Sequence, residues 1–594
     1  MKLFIYLLIL FVFFSVLAKA QQIKAIPTSD NPIFKERPAD YEILSAPDSL
    51  GIRRPLKRPS QGKSTNKILL PYPIIFIHGL NSNASTWDTS TNFMDAKYGL
   101  NFGGRFDFCL NFDGDNTIAN TNFWPTPGAD IAFYTNTSEI EVGDYYYLNF
   151  GVGSDGSVFP TSSNPYYVLS EQAAIVKQGY ALKWAIYYVL QKTGRDKVIL
   201  MGHSMGGLAS REYLQNSNLW QPDGKNHVAK LVTTGTPHGG SNASMSELID
   251  EWPGIDDQSD AVRDLRASYY YSDKPGVFLF GGIESNSVMD DMAFDNFYNV
   301  DVNCNGILGE NVVGLNHKNI PTAIDYSCII GECSGCINSP GDGVVCDSCA
   351  NLNNYYPGLN ANLFYYHASA LSEIHTDLPS QIYQNMQGLD EPNEFDLAYH
   401  IGFDTTYTAF TTVQPADGYM YDYDDFKFSV PVTSNVSVII KNIFIPDLMV
   451  HIVDLTGHTI GTTIHSANLS SMHLIQKLNA GDYYIEIYGK PTTTSYLHPY
   501  NFKLTKTPVV NGIDYTEKPD TLLIYPNPAT NTLNIKGITS KSTIKLYDML
   551  GKLVMQTETE SDETLNTSQL TQGVYTFVAE DKRGSIFKKV IITK

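Results

Sequence analysis

The hydrophobic positions change rhythm from one region of the chain to the next. Leu3 to Leu17 is an almost unbroken apolar run, preceded by Lys2 and followed by Ala18-Lys19-Ala20. A positive start, a short apolar core and a small-x-small site predict an export signal over residues 1–20. Residues 21–66 are polar and carry Pro27, Pro32, Pro38, Pro47, Pro55 and Pro59, which predicts an extended leader without a core of its own. From 67 onward short continuous apolar runs alternate with helical periodicity. Pro73-Ile-Ile-Phe-Ile77 reads as a strand buried on both faces. Ser170 to Thr193 reads as a helix with Ala174, Val176, Ala181, Trp184, Tyr188 and Val189 on its apolar face, ended by Gly194. A strand at 197–201, a helix at 206–216 and strands at 228–234, 323–330 and 362–368 follow. This alternation predicts an α/β fold with a doubly wound sheet over about 67–392.

Farther on, residues 395–507 switch to period-two alternation. Strands are predicted at 425–430, 436–440 and 482–488, with turns at 454–457 and 479–482, as in a β-sandwich. A smaller all-β unit is expected over 517–594. The fold class is therefore α/β followed by two all-β domains, and a chain of 594 residues has room for them. The net charge of -21 argues against nucleic acid as a partner, because phosphate backbones need a basic surface. The run near the N-terminus is short for a bilayer span of about 20 residues, so no stable membrane span is expected.

Within the α/β region, Gly202-His203-Ser204-Met205-Gly206 lies between a predicted strand and a predicted helix. That context makes Ser204 a candidate nucleophile, lifted above the sheet at a helix N-terminus. His78-Gly79-Leu80-Asn81 follows the earlier strand, where a loop can supply a donor to a developing oxyanion. The backbone N–H groups of Leu80 and Met205 are the candidates. A triad then needs an acid and, after it, a histidine. Asp342, in Gly341-Asp-Gly-Val-Val345, is the candidate acid, with Asp347 as the fallback. His375 follows the last predicted strand and is preferred as the base over His367, which lies inside that strand. His238, in Gly235-Thr-Pro-His-Gly-Gly240, precedes Asp342 and is read as a loop residue. The segment at about 242–320 is an insertion, read either as a cap over an acyl pocket or as an ordinary subdomain.

The chain holds seven cysteines, four of them in two Cys-x-x-Cys pairs, Cys333/Cys336 and Cys346/Cys349. Export favours disulfides over zinc there. No metal is expected at the catalytic site. Asp301-Val-Asn303-Cys-Asn305-Gly306 has the start of a calcium loop, but Val312 stands where the closing Glu belongs, so Ca2+ at 301–306 is a secondary expectation.

At these motifs, over about 67–388, the chain resembles bacterial triacylglycerol lipases and esterases of the α/β-hydrolase fold. The resemblance rests on Phe76-Ile-His-Gly-Leu80, Gly202-His-Ser-Met-Gly-Gly207, Gly235-Thr-Pro-His-Gly-Gly240 and Asp342-Gly-Val-Val345. Gly341 replaces an asparagine usual beside the acid, and 375 − 342 = 33 residues separate acid and base. Residues 395–507 are similar to the pre-peptidase C-terminal domain through Asp424-Asp-Phe-Lys-Phe428 and Leu478-Asn-Ala-Gly-Asp-Tyr-Tyr-Ile485. The C-terminus resembles the type IX secretion sorting domain, through Tyr525-Pro-Asn-Pro528, Leu546-Tyr-Asp-Met-Leu-Gly-Lys552, Gly573-Val-Tyr575 and Lys588 to Lys594. These resemblances imply an acyl-ester or lipid substrate, the type IX machinery as a partner, and release from or retention on a Gram-negative cell surface. Amide hydrolysis, acyl transfer and a non-enzymatic surface adhesin are the alternatives, because a fold does not fix the acyl acceptor.

Overall fold

The computed structural model describes residues 68–110, 139–152, 170–241, 309–336, 340–413, 421–509 and 522–594, apart from a few single positions, with short stretches at 33–34, 132–134 and within 255–304. The export signal, nearly all of the leader and most of the insertion lie outside the described residues. The chain forms two compact units, 1–507 and 508–594. Among the described residues no helix is long and apolar enough to cross a membrane.

The first unit is built on a parallel sheet. Its longer strands are β1 (Ile74–Ile77), β2 (Phe102–Cys109), β3 (Tyr145–Asn149), β4 (Val198–His203), β5 (Val228–Thr234), β6 (Asp325–Cys333) and β7 (Asn362–Ala368). They run in the order β2-β3-β1-β4-β5-β6-β7, and every pairing is parallel. Helices α1 (Asp88–Tyr98), α2 (Ile175–Thr193), α3 (Met205–Gln215) and α4 (Ile382–Leu389) cover the two faces. β1 is central and apolar throughout because both of its faces are covered. Ile75 and Ile77 join Leu200, Tyr180 and Leu208 in one core. Ile74 and Phe76 join Met94, Met201 and Met386 in the other.

β2 and β3 escaped the periodicity. β2 opens with Gly103 and Gly104, and its register against β3 shifts between Phe102 and Gly104. A Cβ at Gly103 would come 2.2 Å from the Tyr146 ring, so the glycine makes room for an aromatic of the next strand. The predicted helix at 170–193 begins only at Ile175, whose N–H is taken by Asp264 Oδ2 at 3.0 Å. The cap is 89 residues away in sequence and carries no local signal. At its other end Gly194 adopts the left-handed conformation, as expected of a helix stop.

Beyond α4 the chain enters two largely antiparallel layers. β8 (Asp422–Val430), β9 (Ser434–Lys441), β10 (Met449–Val453), β11 (Ser471–Leu478), β12 (Gly481–Gly489) and β13 (Tyr500–Pro508) are among their strands. Asp454 makes the predicted turn by accepting from Thr456 and His458 N–H, with Gly457 at φ 84°. The inward residues of β8, among them Phe426 and Phe428, continue the sheet's second core. The second unit consists of a three-stranded and a four-stranded antiparallel sheet around Leu533, Ile535, Leu546, Phe577 and Val590.

Candidate active site

β4 delivers the chain to a sharp corner. Ser204 stands there with φ 52° and ψ −124°, a conformation that costs a non-glycine residue about 1–3 kcal/mol and persists only where its surroundings impose it. Ser204 N–H donates to Thr234 O at 2.8 Å, and α3 starts at the next residue. The motif glycines are required by close backbone approach. A Cβ on Gly202 would lie 2.5 Å from the Gly206 carbonyl carbon, and one on Gly206 would lie 2.7 Å from Ile77 O and His78 O. A Cβ on Gly79 would come 2.8 Å from Ser204 Cβ, so the loop after β1 runs directly beside the serine.

The structure brings Ser204, His375 and Asp342 together. His375 Nε2 is 2.9 Å from Ser204 Oγ, and His375 Nδ1 is 2.6 Å from Asp342 Oδ2. All three are buried, with the serine at 7% exposure. Asp342 Oδ1 accepts the N–H groups of Val344 at 2.9 Å and Val345 at 2.7 Å, so Oδ2 alone faces the imidazole. Ile374 N–H donates to Asp342 O at 2.8 Å, which ties the acid loop to the residue before the base. Gly235, at φ 58°, covers this contact, since a Cβ there would reach within 3.1 Å of both Asp342 Oδ2 and His375 Nδ1.

Burial disfavours a charged His375, but the Asp342 charge and hydrogen bond, with a smaller contribution from Glu373, more than offset it. The net result is a His375 pKa above the ordinary histidine value. Each Cys-x-x-Cys pair closes on itself, Cys333–Cys336 and Cys346–Cys349, so a disulfide flanks the acid loop on either side.

The other candidates are placed elsewhere. Asp347 opens the short helix Asp347–Ala350 while Asp342 holds the imidazole. His367 is exposed and pairs with Glu332 at 2.5 Å. His238 is buried between Arg211 Nη1 at 3.3 Å and Thr233 Oγ1 at 3.2 Å. Met205 N–H is the first of α3 and has no acceptor one turn back, as at any helix start. Leu80 N–H belongs to the loop beside Ser204.

Two further histidines carry structure that the motif hides. His78 Nε2 accepts Phe150 N–H at 2.8 Å, so its hydrogen sits on Nδ1 and is donated to Gly79 O at 2.8 Å. Burial pushes His78 down to about 4, and the ring stays neutral while it fixes the loop before Leu80. His203 is buried against His375.

At 301–306 only Val302, Asn303 and Cys304 are described, so the calcium expectation lies largely outside the described residues. Among the described residues, the side chains that gather as a metal would need are Asp390, Glu391 and Asp424, buried where α4 leads into β8, with one ligand atom from each within 4.8 Å of the others. Oxygen donors of this kind suit a hard divalent cation. Nearby Asp425 is 1% exposed, and burial, then the charges of Glu486 and Glu394, raise its carboxyl to about 8. An acid raised in the folded state stabilises the fold below its unfolded value near 4 and loses that contribution as pH rises through about 8. In metal-free buffer Asp425→Asn is therefore expected to raise Tm at pH 9 by roughly 3–8 °C and to leave it unchanged below pH 4, as measured by calorimetry.

Residues 153–268 match the family model for the alpha/beta hydrolase fold, and residues 523–593 match that of the secretion system C-terminal sorting domain. The first match contains Ser204 and ends before Asp342 and His375. The chain thus carries a hydrolase-fold domain and a tail that directs it to the cell surface or beyond. Among solved structures it is similar to a gene product of Listeria innocua, at 16% identity over 54% of this chain and 95% of that one, with a TM-score of 0.29. It is also similar to an extracellular alpha/beta-hydrolase from a Paenibacillus species, at 11% identity over 54% and 99%, TM-score 0.23. A third is the pre-peptidase C-terminal domain of a Bacillus anthracis collagenase, at 18% identity over 20% and 99%, TM-score 0.15. No curated protein sequence matches the chain.

Proposed function

We propose that this secreted chain is a serine carboxylic-ester hydrolase, an esterase or lipase. The observation that carries the proposal is the continuous contact from Ser204 Oγ through the His375 ring to Asp342. His375 takes the Ser204 proton as Oγ attacks the acyl carbon. It then returns that proton to the leaving alcohol, and an acyl-enzyme forms. Water deprotonated by the same imidazole attacks the acyl carbon, releases the acid and restores Ser204. Asp342 fixes the imidazole's tautomer and stabilises its charged form. We assign the Leu80 and Met205 N–H groups as the donors to the carbonyl oxygen as it gains negative charge, and losing one such donor costs about 2.7–4 kcal/mol of transition-state stabilisation.

The test is labelling with a fluorophosphonate followed by peptide mass mapping, together with turnover of matched p-nitrophenyl esters and anilides of increasing acyl length. An adduct on the Ser204 peptide and ester turnover well above amide turnover are expected. Labelling without ester turnover turns the reading toward amide or acyl-transfer chemistry, and no labelling at all turns it toward the adhesin. The acyl length preferred separates esterase from lipase.

A further inference from the structure

The residue just before the nucleophile has no part in the chemistry above, yet it touches the base. His203 Nε2 lies 3.0 Å from the backbone oxygen of His375, and the two rings lie 4.8 Å apart at 40°. A carbonyl oxygen can only accept, so Nε2 carries the hydrogen and Nδ1 is bare. That Nδ1 is buried with no hydrogen-bond partner among the described residues. It faces Gly79, where a Cβ would approach to 3.1 Å, and Trp87 stands edge-on to the ring at 6.5 Å. Trp87 is itself fixed by donating from Nε1 to Ile77 O at 3.2 Å. The imidazole is thus held by rigid neighbours and directs one donor at one acceptor.

The acceptor matters because of where the base sits. His375 opens a 3-10 turn, His375–Ser380, after the last strand, and it is not part of the sheet. Ile374 N–H anchors this turn to the acid loop. His203 supplies an anchor from β4, the strand that carries Ser204.

We propose that His203 is a positioning residue that clamps the His375 backbone to the corner bearing Ser204, so that nucleophile and base move as one body. This rests on the triad reading above. Burial and the neighbouring His375 and His78 rings hold His203 far below the ordinary histidine range, so it stays neutral and adds no second charge beside the imidazolium.

A matched pair of variants tests it. His203→Gln keeps an N–H donor near the Nε2 position, and His203→Met has similar length and no donor. With Tm confirmed near wild type, His203→Met is expected to lower kcat about a hundredfold on the ester that wild type turns over, with KM little changed. His203→Gln is expected to recover most of that loss. A loosened His375 sits less well against Asp342, so its protonation midpoint should move down in the Met variant and stay near wild type in the Gln variant. Nitrogen-15 NMR of the His375 ring reads this midpoint without turnover. A failed triad reading then appears as absent ester hydrolysis in wild type, and a failed clamp as identical His375 titrations in the two variants. Equal kcat in two folded variants also overturns the clamp. Should both variants unfold, a wild-type His203 ring that titrates between pH 5 and 9 overturns it, whereas a constant Nε2–H signal supports it.

Discussion

Ser204→Ala is expected to lower kcat on esters by at least about a thousandfold, and toward about 10⁶-fold if the three residues act as a unit. The substitution removes only Oγ, which binds the acyl group in the transition state and little before it, so KM should barely change. The fold should not suffer. Alanine at φ 52° carries the same backbone strain as serine, and the N–H to Thr234 O remains. Ser204→Gly goes further, because glycine occupies a positive φ without penalty. It should melt above wild type and be equally inactive. A stable and inactive pair separates loss of chemistry from loss of structure. A Ser204→Ala enzyme as fast as wild type on every ester would end the nucleophile assignment.

Asp342→Asn should cost about 10⁴-fold in kcat, and the hydrogen-bond pattern gives the reason. Val344 and Val345 N–H both donate to Oδ1, so that position must remain an acceptor. An asparagine therefore keeps its amide oxygen there and turns its NH2 toward His375 Nδ1. Nδ1 then has to accept, the ring hydrogen moves to Nε2, and Nε2 can no longer take the Ser204 proton. The pH profile carries a second sign. His375 must be neutral to act as a base, so activity falls as pH drops through its pKa, which lies above the ordinary 6.5 in wild type. Without the Asp342 charge and hydrogen bond, burial is opposed only by the smaller Glu373 contribution, and the acid limb should move below that value. Stability follows in parallel. A histidine raised in the folded state stabilises the fold below about 6.5, and that contribution is lost as pH rises through the folded value. The variant should lose this stabilisation at low pH and melt more like wild type at high pH. An unchanged acid limb would place the controlling carboxylate elsewhere, and Asp347, itself raised to about 6 by burial and neighbouring carboxylates, would be examined next.

Much of the fold was legible because it follows from local rules. β1 and the Val198–Met201 part of β4 are continuous apolar runs, which is the signature of strands covered on both faces. The stop at Gly194 and the turn at Asp454 are single-residue effects. Those that failed were decided by neighbours. β2 is masked by Gly103, whose purpose shows only when the Tyr146 ring lies on it. The true start of α2 is set by Asp264, distant in the chain.

Ser204 was marked by sequence alone, because a tight strand-to-helix corner demands glycines at fixed spacing and leaves a single residue at its apex. The order acid, then histidine, and the position of each relative to the last predicted strand favoured Asp342 over Asp347 and His375 over His367. Asp342 and Asp347 have similar local settings, and so in part do His367 and His375. The contact of Asp342 with His375 comes from the parallel pairing of β6 with β7, which sets the loops after both strands side by side and brings one carboxylate and one imidazole to the elbow. Burial, the two N–H donors that orient Asp342, and the hold of His203 on His375 are likewise products of packing between segments more than 100 residues apart or of local turns that only the fold makes rigid. Sequence marked the architecture and the candidate nucleophile, because both depend on local backbone geometry. Tertiary structure brings the candidate acid and base into contact and sets the charge state of the site, because these depend on distances and desolvation that exist only once the loops meet.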